Sequence, residues 1–411
     1  MRLPLCLLMA ILSGCAHVAP LTDIQQDTLA DGQELCDLIR ANYVYLDKRQ
    51  PGWDAACRRL PDQVGQVSTR REQLRVLETL TDALHDPHIT FGTNSSISPR
   101  LVPSGADYWL EEDRVIAVRA GSAAAQAGLA VGDQMVSVNG RTLGDALRSR
   151  LQPPDTAVSE TQRNWALNAA AAGYRDEPRS VTILRDGQTL DLTLEGRAVV
   201  PPESPLTARM IDGAVGYVRL NDSLDEASTV AAFDAAMDSL RGARFWILDL
   251  RDTPGGGSTD IAEPILGRFL SDSAVYQRIR PMDGPEWVKV AEPHGDWTAE
   301  GPVAVLVGRW TGSMGEGLAV GFDGAGRGDV FGSDMARLAG GVETFTLSRT
   351  GYPIRIPTYD LAHLDGTPRH VWSPPHNVLA DNGDGPDLAL QAALDWFAEF
   401  DNPAVRPGGL R

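Results

Sequence analysis

The sequence predicts a multidomain α/β and β protein, with a helical N-terminal segment, a mainly β middle and an α/β C-terminal half. Three observations carry this. Apolar residues recur at three- and four-residue intervals from position 22 to about 92. They alternate with polar residues around glycine-centred turns from 101 to about 198, and from 205 to 400 strand-like and helix-like runs take turns. At 411 residues the chain exceeds one usual core, so more than one domain is expected. A composition of 43% hydrophobic and 22% charged residues describes a folding globular chain. The formal charge of -18, with no offsetting basic cluster, argues against a nucleic-acid partner, which would require a basic face to displace counterions.

Residues 1–15, MRLPLCLLMAILSGC, carry one early Arg and an apolar run too short to remain as a spanning helix, which reads as a secretory signal. Its ending, Leu12-Ser13-Gly14-Cys15, resembles the bacterial lipoprotein signal. That resemblance implies cleavage before Cys15 and lipidation of that residue. Ala16 behind it implies outer-membrane sorting, hence a lipid-anchored protein of the bacterial cell envelope facing the periplasm. Cys6 leaves with the signal. Cys36 and Cys57 then stand as an even pair, either a disulfide between two N-terminal helices or two buried thiols. No His/Cys cluster has zinc-finger spacing, so no metal is expected.

Within the helical segment, 22–100, TLADGQELCDLIRANYVYL and STRREQLRVLETLTDALHD show helical periodicity. Ser68 is the expected cap of the latter, with Glu72 in its first turn. HDPHITFGTNSSISP is a loop by its Pro, Gly, Asn and Ser content. In the middle, 101–198, DRVIAVRAGSAAAQAGLAVGDQMVSVNGRTL predicts strand, Gly-Ser turn, short Ala-rich helix, turn and strand, closing in the hairpin pair Asn139-Gly140. Two alternating strands follow around Asp186-Gly187. The series Gly-Ser, Ala-Gly-Leu, Gly-Asp, Val-Asn-Gly strongly resembles a PDZ domain, which implies a peptide added as a strand to a sheet edge. PSGADYWLEEDR lacks a glycine-flanked apolar loop, which leaves capture of a free C-terminus open.

From 205 to 400, runs such as FWILDL are apolar on both faces, and their alternation with helical runs predicts a parallel sheet covered by helices. GDGPDLALQAALDWFAEF reads as a capped helix; its aspartates lack the ligand series of a calcium loop. Two stretches carry chemistry. LDLRDTPGGGS, 248–258, is a strand running into a triple glycine, where backbone N–H groups near a helix start can face an anion. TGSMGEGLA, 311–319, sets Ser313 at a helix start just after the strand PVAVLVG, at the edge of an α/β sheet where ligands collect. A helix-capping serine would need nothing more. Thr311 stands where the esterase pattern G-x-S-x-G has its first glycine, so that pattern is not met.

Together these stretches resemble the tail-specific (C-terminal processing) and tricorn-type serine peptidases. LDLRDTPGGGS is similar to their Leu-Asp-Leu-Arg-x-Asn-x-Gly-Gly signature, with Thr253 departing from it, and SMGE matches their Ser-x-x-Glu. The order helical segment, PDZ domain, ClpP/crotonase-like α/β domain is also theirs. The resemblance implies that Ser313 is the nucleophile with Glu316 supporting it, and that backbone N–H groups of Gly256 and Met314 form the oxyanion hole.

The tail-specific branch supplies a lysine base about twenty-five residues after the serine. Here that region, VFGSDMARLAGGVE, offers only Arg337, whose guanidinium cannot accept a proton. The tricorn-type branch uses an upstream histidine, and His88 of LHDPHITFG matches that position; His85 is expected to point elsewhere, and Asp86-Pro87 to fix the turn. The late carboxylate that orients this histidine has no counterpart in DGTPRHVWSPPHNV: its place falls on Arg369 or His370, and His376 stands for the following Asp. Asp365 is the nearest acid and, with His370, a candidate support. The expected activity is serine-type peptidase chemistry on polypeptides, with no cofactor. The missing acid keeps open a second reading, a catalytically inactive peptide-binding lipoprotein scaffold.

Overall fold

The computed structural model describes residues 20–47, 49–92, 98–151, 158–175, 177, 179–195, 204–378 and 386–400. The expected signal sequence, including Cys15, lies outside them. No helix among the described residues is long and apolar enough to cross a membrane.

Three helices open the chain: α1 (Asp23–Asn42), α2 (Gln50–Val64) and α3 (Arg70–Asp82). The cap of α3 is Thr69 rather than Ser68. The Thr69 hydroxyl accepts from the N–H of Glu72, whose carboxylate accepts from the N–H groups of Ser68 and Thr69 and from the Ser68 hydroxyl. Cys36 of α1 and Cys57 of α2 form a disulfide. These helices do not close a core alone. Leu35, Ile39, Trp53, Leu77 and Leu84 pack with Leu347, Ile354 and Ile356 from a distant sheet.

The middle region is a five-membered antiparallel path β1-β2-β3-β5-β6, with β4 appended to β3. Its strands are β1 (Tyr108–Glu111), β2 (Arg114–Val118), β3 (Gln134–Val138), β4 (Arg141–Thr142), β5 (Arg179–Arg185) and β6 (Gln188–Leu194). Helices α4 (Ala123–Gln126), α5 (Leu143–Arg150) and α6 (Glu160–Ala172) accompany them. Asn139-Gly140 and Asp186-Gly187 both carry positive φ at each position, the backbone of a two-residue hairpin turn. The sequence marked neither β1 nor α5 and α6. β1 is an edge strand, and α6 lies against it: the side-chain amide of Asn168 accepts from Leu110 N–H at 2.8 Å and donates to Leu110 O at 2.9 Å.

The C-terminal half contains two sheets where the sequence led us to expect one. The first has the order β16-β13-β12-β9-β8-β7. It comprises β7 (Leu206–Ile211), β8 (Val215–Leu220), β9 (Phe245–Asp249), β12 (Val303–Val307), β13 (Asp329–Gly332) and β16 (His376–Asn377), all parallel except the β7–β8 pair. Every residue of β9 and β12 is buried, as their uninterrupted apolar runs require. Helices α7 (Ser228–Ser239), α8 (Thr259–Gly267) and α9 (Met314–Gly324) contribute to the core on one face, and α10 (Leu388–Phe400) to the smaller core on the other. Asp387 caps α10 by accepting from Leu390 N–H at 2.9 Å while pairing with Arg251.

The second sheet is antiparallel, β11-β10-β15-β14, from β10 (Ala274–Pro281), β11 (Trp287–Ala291), β14 (Gly341–Thr346) and β15 (Pro353–Ala362). On it docks the N-terminal helical unit. The buried carboxylate of Asp31 accepts from the N–H groups of Arg349 and Thr350, both at 2.9 Å, and from the Thr350 hydroxyl. Val44 N–H donates to Pro357 O, and Thr90 pairs with Arg355. This docking carries the loop after α3 towards the first sheet.

Candidate active site

Ser313 stands where β12 has ended and α9 begins. Its approach is stapled to the turn after β9: Thr311 donates its hydroxyl to Leu250 O at 2.8 Å and Gly312 N–H donates to Thr253 O at 2.8 Å. A side chain at Gly312 would put a Cβ 2.5 Å from Pro254 O, so the two segments touch through backbone alone. Ser313 itself has φ +49°, a conformation costing roughly 1–3 kcal/mol for a residue with a Cβ. Glu316, fully buried one turn into α9, holds it there. One carboxylate oxygen accepts from Ser313 N–H at 2.7 Å and from Leu338 N–H at 3.1 Å. Burial pushes this carboxyl up to about 7, against the Arg369 charge and the backbone donors that favour its ionised form.

The triple glycine lies alongside. Gly255, Gly256 and Gly257 all have positive φ, and a Cβ at Gly255 would sit 3.7 Å from that of Ser313. Gly255 O is engaged by the Ser223 hydroxyl, so the N–H of Gly256, trans across the same peptide plane, points the opposite way. Met314 is the first residue of α9, where N–H groups have no intrahelical acceptor.

His88 arrives from the loop after α3. Its Nε2 lies 3.1 Å from Ser313 Oγ, across 225 positions of sequence. The Asp86 carboxylate fixes the loop by accepting from His88 N–H at 2.9 Å, and is itself held by the Tyr43 hydroxyl and Arg49. The Nδ1 of His88 lies 2.8 Å from Ala339 O. A carbonyl only accepts, so Nδ1 carries the proton and Nε2 presents its lone pair to the serine. Burial, then the Arg369 charge, hold this imidazole at about 4, well below the usual histidine range.

Two candidate supports fall elsewhere. Asp365 is exposed and occupied by its own turn, accepting from Thr367 N–H at 2.7 Å and lying 3.1 Å from His363 Nδ1; it does not orient His88. His370 sets its ring edge-on to Tyr45, and its buried Nδ1 has no hydrogen-bond partner among the described residues; no hydrogen bond links it to His88. His85 faces the α6 side, its Nδ1 3.2 Å from Gln162 Nε2 and its ring edge-on to Trp165. His376 pairs with Asp329.

Arg369 takes an unforeseen place. It is buried and donates to Leu338 O at 2.8 Å and Gly340 O at 2.9 Å, gripping both neighbours of the carbonyl that receives His88. One of the two positions where the resemblance places the carboxylate thus holds a cation that acts through backbone. A pocket of about 270 Å³ opens on Ser313 and Met314 and is also lined by Gly257, Lys289, Tyr359 and Arg369. A separate cleft of about 400 Å³ lies between α6, β1 and the α/β region. No group of three or more His, Cys, Asp or Glu residues suited to a metal occurs among the described residues.

A serine at a strained helix entry, a buried glutamate at the next turn and a glycine loop beside it, preceded by a PDZ-like sheet, define a class of protein. Residues 214–371 match the model of peptidase family S41, and residues 114–159 match that of a PDZ domain. The C-terminal half is thus similar to the peptidases of that family, and the region before it to a PDZ domain. Relatives of the chain include a carboxyl-terminal-processing protease of Synechocystis sp., 27% identical over 303 residues, which are 71% of this chain and 62% of that protein. Another is the carboxy-terminal processing protease CtpA of Bacillus subtilis, 25% identical over 254 residues, 59% of this chain and 50% of that one. Both matches therefore span less than two thirds of the relative's length. The fold is shared with mature CPAF, at TM-score 0.59 and 12% identity over 92% of this chain and 98% of the other. It is shared too with the photosystem II D1 C-terminal processing protease, at TM-score 0.54 and 20% identity over 91% and 97%.

Proposed function

We propose that this chain is a lipid-anchored serine endopeptidase of the bacterial cell envelope that cleaves polypeptides with a Ser313–His88 pair. One observation carries the reading: Nε2 of His88 stands 3.1 Å from Ser313 Oγ, with Nδ1 committed to a carbonyl. In this mechanism Ser313 Oγ attacks the scissile carbonyl as its proton passes to Nε2. The oxyanion is met by N–H groups of Gly256 and Met314, each such donor worth about 3 kcal/mol in the transition state. His88 then protonates the leaving amine, and water, deprotonated by the same nitrogen, releases the acyl group from Ser313.

The orienting group is neutral, and that has a consequence. A carboxylate stabilises the imidazolium that forms during attack, whereas the Ala339 carbonyl offers only a dipole and Arg369 opposes the charge. Replacing the orienting acid by a neutral group in a serine triad costs about 10⁴ in turnover, so a slow enzyme is expected here.

For the PDZ domain, gating is favoured over simple strand addition. Asn168 already holds both backbone groups of Leu110 on the edge strand, where an added peptide would pair. Envelope location rests on the signal sequence and Cys15. Hydrolysis of an unstructured polypeptide such as casein, by wild type and not by Ser313→Ala, tests the activity. A folded wild type that cleaves nothing and binds peptide supports the scaffold reading instead.

A further inference from the structure

Resting on the hydrolase reading, we infer that the pocket beside Ser313 selects substrates carrying a carboxylate next to the scissile bond, and that Lys289 recognises it. Lys289 is one of only two lysines among 37 basic residues; the other, Lys48, lies outside the described residues. It sits on β11 in register with Gln277 of β10, and both side chains line the pocket that contains Ser313. Strand β11 is the edge of its sheet.

The charge there is unbalanced. No Asp or Glu lines the pocket, and the Lys289 side chain has no hydrogen bond or ion pair among the described residues. Glu263 and Asp260 act on it from outside the pocket lining, and Glu263 is engaged by the Tyr276 hydroxyl at 2.8 Å. A second cation, Arg369, contributes to the same wall; its Nη2 donates to two carbonyls, its buried Nε has no partner among the described residues, and no ion pair among them compensates its charge. In a protein of net charge -18, a pocket lined by two cations and no acid forms a local reversal of sign, although buried Glu316 lies behind Ser313. Half-buried, Lys289 loses hydration, and burial draws its ammonium below the ordinary lysine range. A carboxylate entering the pocket restores what the ammonium lacks, and Gln277 offers an amide donor beside it.

That carboxylate has two sources, an Asp or Glu side chain or the free end of a polypeptide. Internally quenched peptides differing only in Glu, Gln, Leu or Arg on either side of the cleaved bond separate them, run alongside pairs ending close to it as acid or amide. The expected result is a kcat/KM for Glu over Gln, or for acid over amide, at least about tenfold in favour of the carboxylate. Lys289→Met brings that ratio to near one, and Lys289→Glu turns the preference towards Arg peptides. Thermal melting of both variants controls for folding. Cleavage by wild type without discrimination in either arm overturns the inference and leaves the hydrolase standing. A wild type that neither cleaves nor takes up a serine-directed phosphonate removes the hydrolase, and this inference with it.

Discussion

Arg369 and His88 meet through a single peptide segment: the guanidinium binds the carbonyls of Leu338 and Gly340, and the imidazole binds the carbonyl of Ala339 between them. The base is thus oriented by backbone that a buried cation holds in place. The same cation also acts on the imidazole directly and disfavours its protonation.

The first consequence is an unusual pH profile. Protonation of His88 occupies the lone pair that must receive the serine proton, so activity falls as pH falls through the imidazole pKa. With that value at about 4, kcat/KM should hold its plateau through pH 5 and 6 and drop only near 4. A steady-state profile from pH 3.5 to 8 checks this. A limb near ~6.5, the unperturbed histidine value, that persists in Glu316→Gln, which removes the carboxyl at about 7, would mean a hydrated imidazole.

Arg369→Met should change two readouts at once. Loss of the carbonyl grip lowers kcat, and loss of the positive charge moves the acidic limb upward towards the ordinary histidine range. A residue that merely supported the fold would lower activity and leave the limb where it was.

Asp31 tests the docking that delivers His88. Asp31→Ala leaves two backbone N–H groups and a hydroxyl without their acceptor, at about 3 kcal/mol of stability. The melting temperature should fall by several degrees. Activity should fall too, although Asp31 touches neither Ser313 nor His88.

The Cys36–Cys57 disulfide closes a loop with a sequence separation of 21. Its removal as Cys36→Ser/Cys57→Ser should cost about 3 kcal/mol. Denaturation with and without reductant measures this, and equal midpoints would show that the bond adds nothing.

Much of the site was legible because it lies in two contiguous stretches. LDLRDTPGGGS and TGSMGEGLA each keep a strand, a turn and a helix start together, so local chemistry marked Ser313 and the glycines as candidates, and the resemblance supplied their roles and that of Glu316. His88 needed a resemblance, since nothing local joins it to a serine 225 positions away. The Ala339 carbonyl had no signal at all, because a backbone oxygen is not written in residue identity. Arg369 was visible only as a failed acid; its role depends on the loop that folds over it. Asp365 misled by proximity in sequence, its carboxylate being taken by Thr367 N–H. The second sheet was hidden for another reason. Strands such as β11 and β14 alternate weakly and lie among parallel-sheet elements, and the face of β14 and β15 is covered by a helical unit from the other end of the chain.

The most direct measurement is intact-mass analysis after treatment with a fluorophosphonate, which reacts only with an activated serine. The account predicts a single adduct on Ser313 in the wild type, absent from Ser313→Ala and from folded His88→Ala. A wild type that stays unmodified, or a His88→Ala variant that labels as fast as wild type, would contradict it.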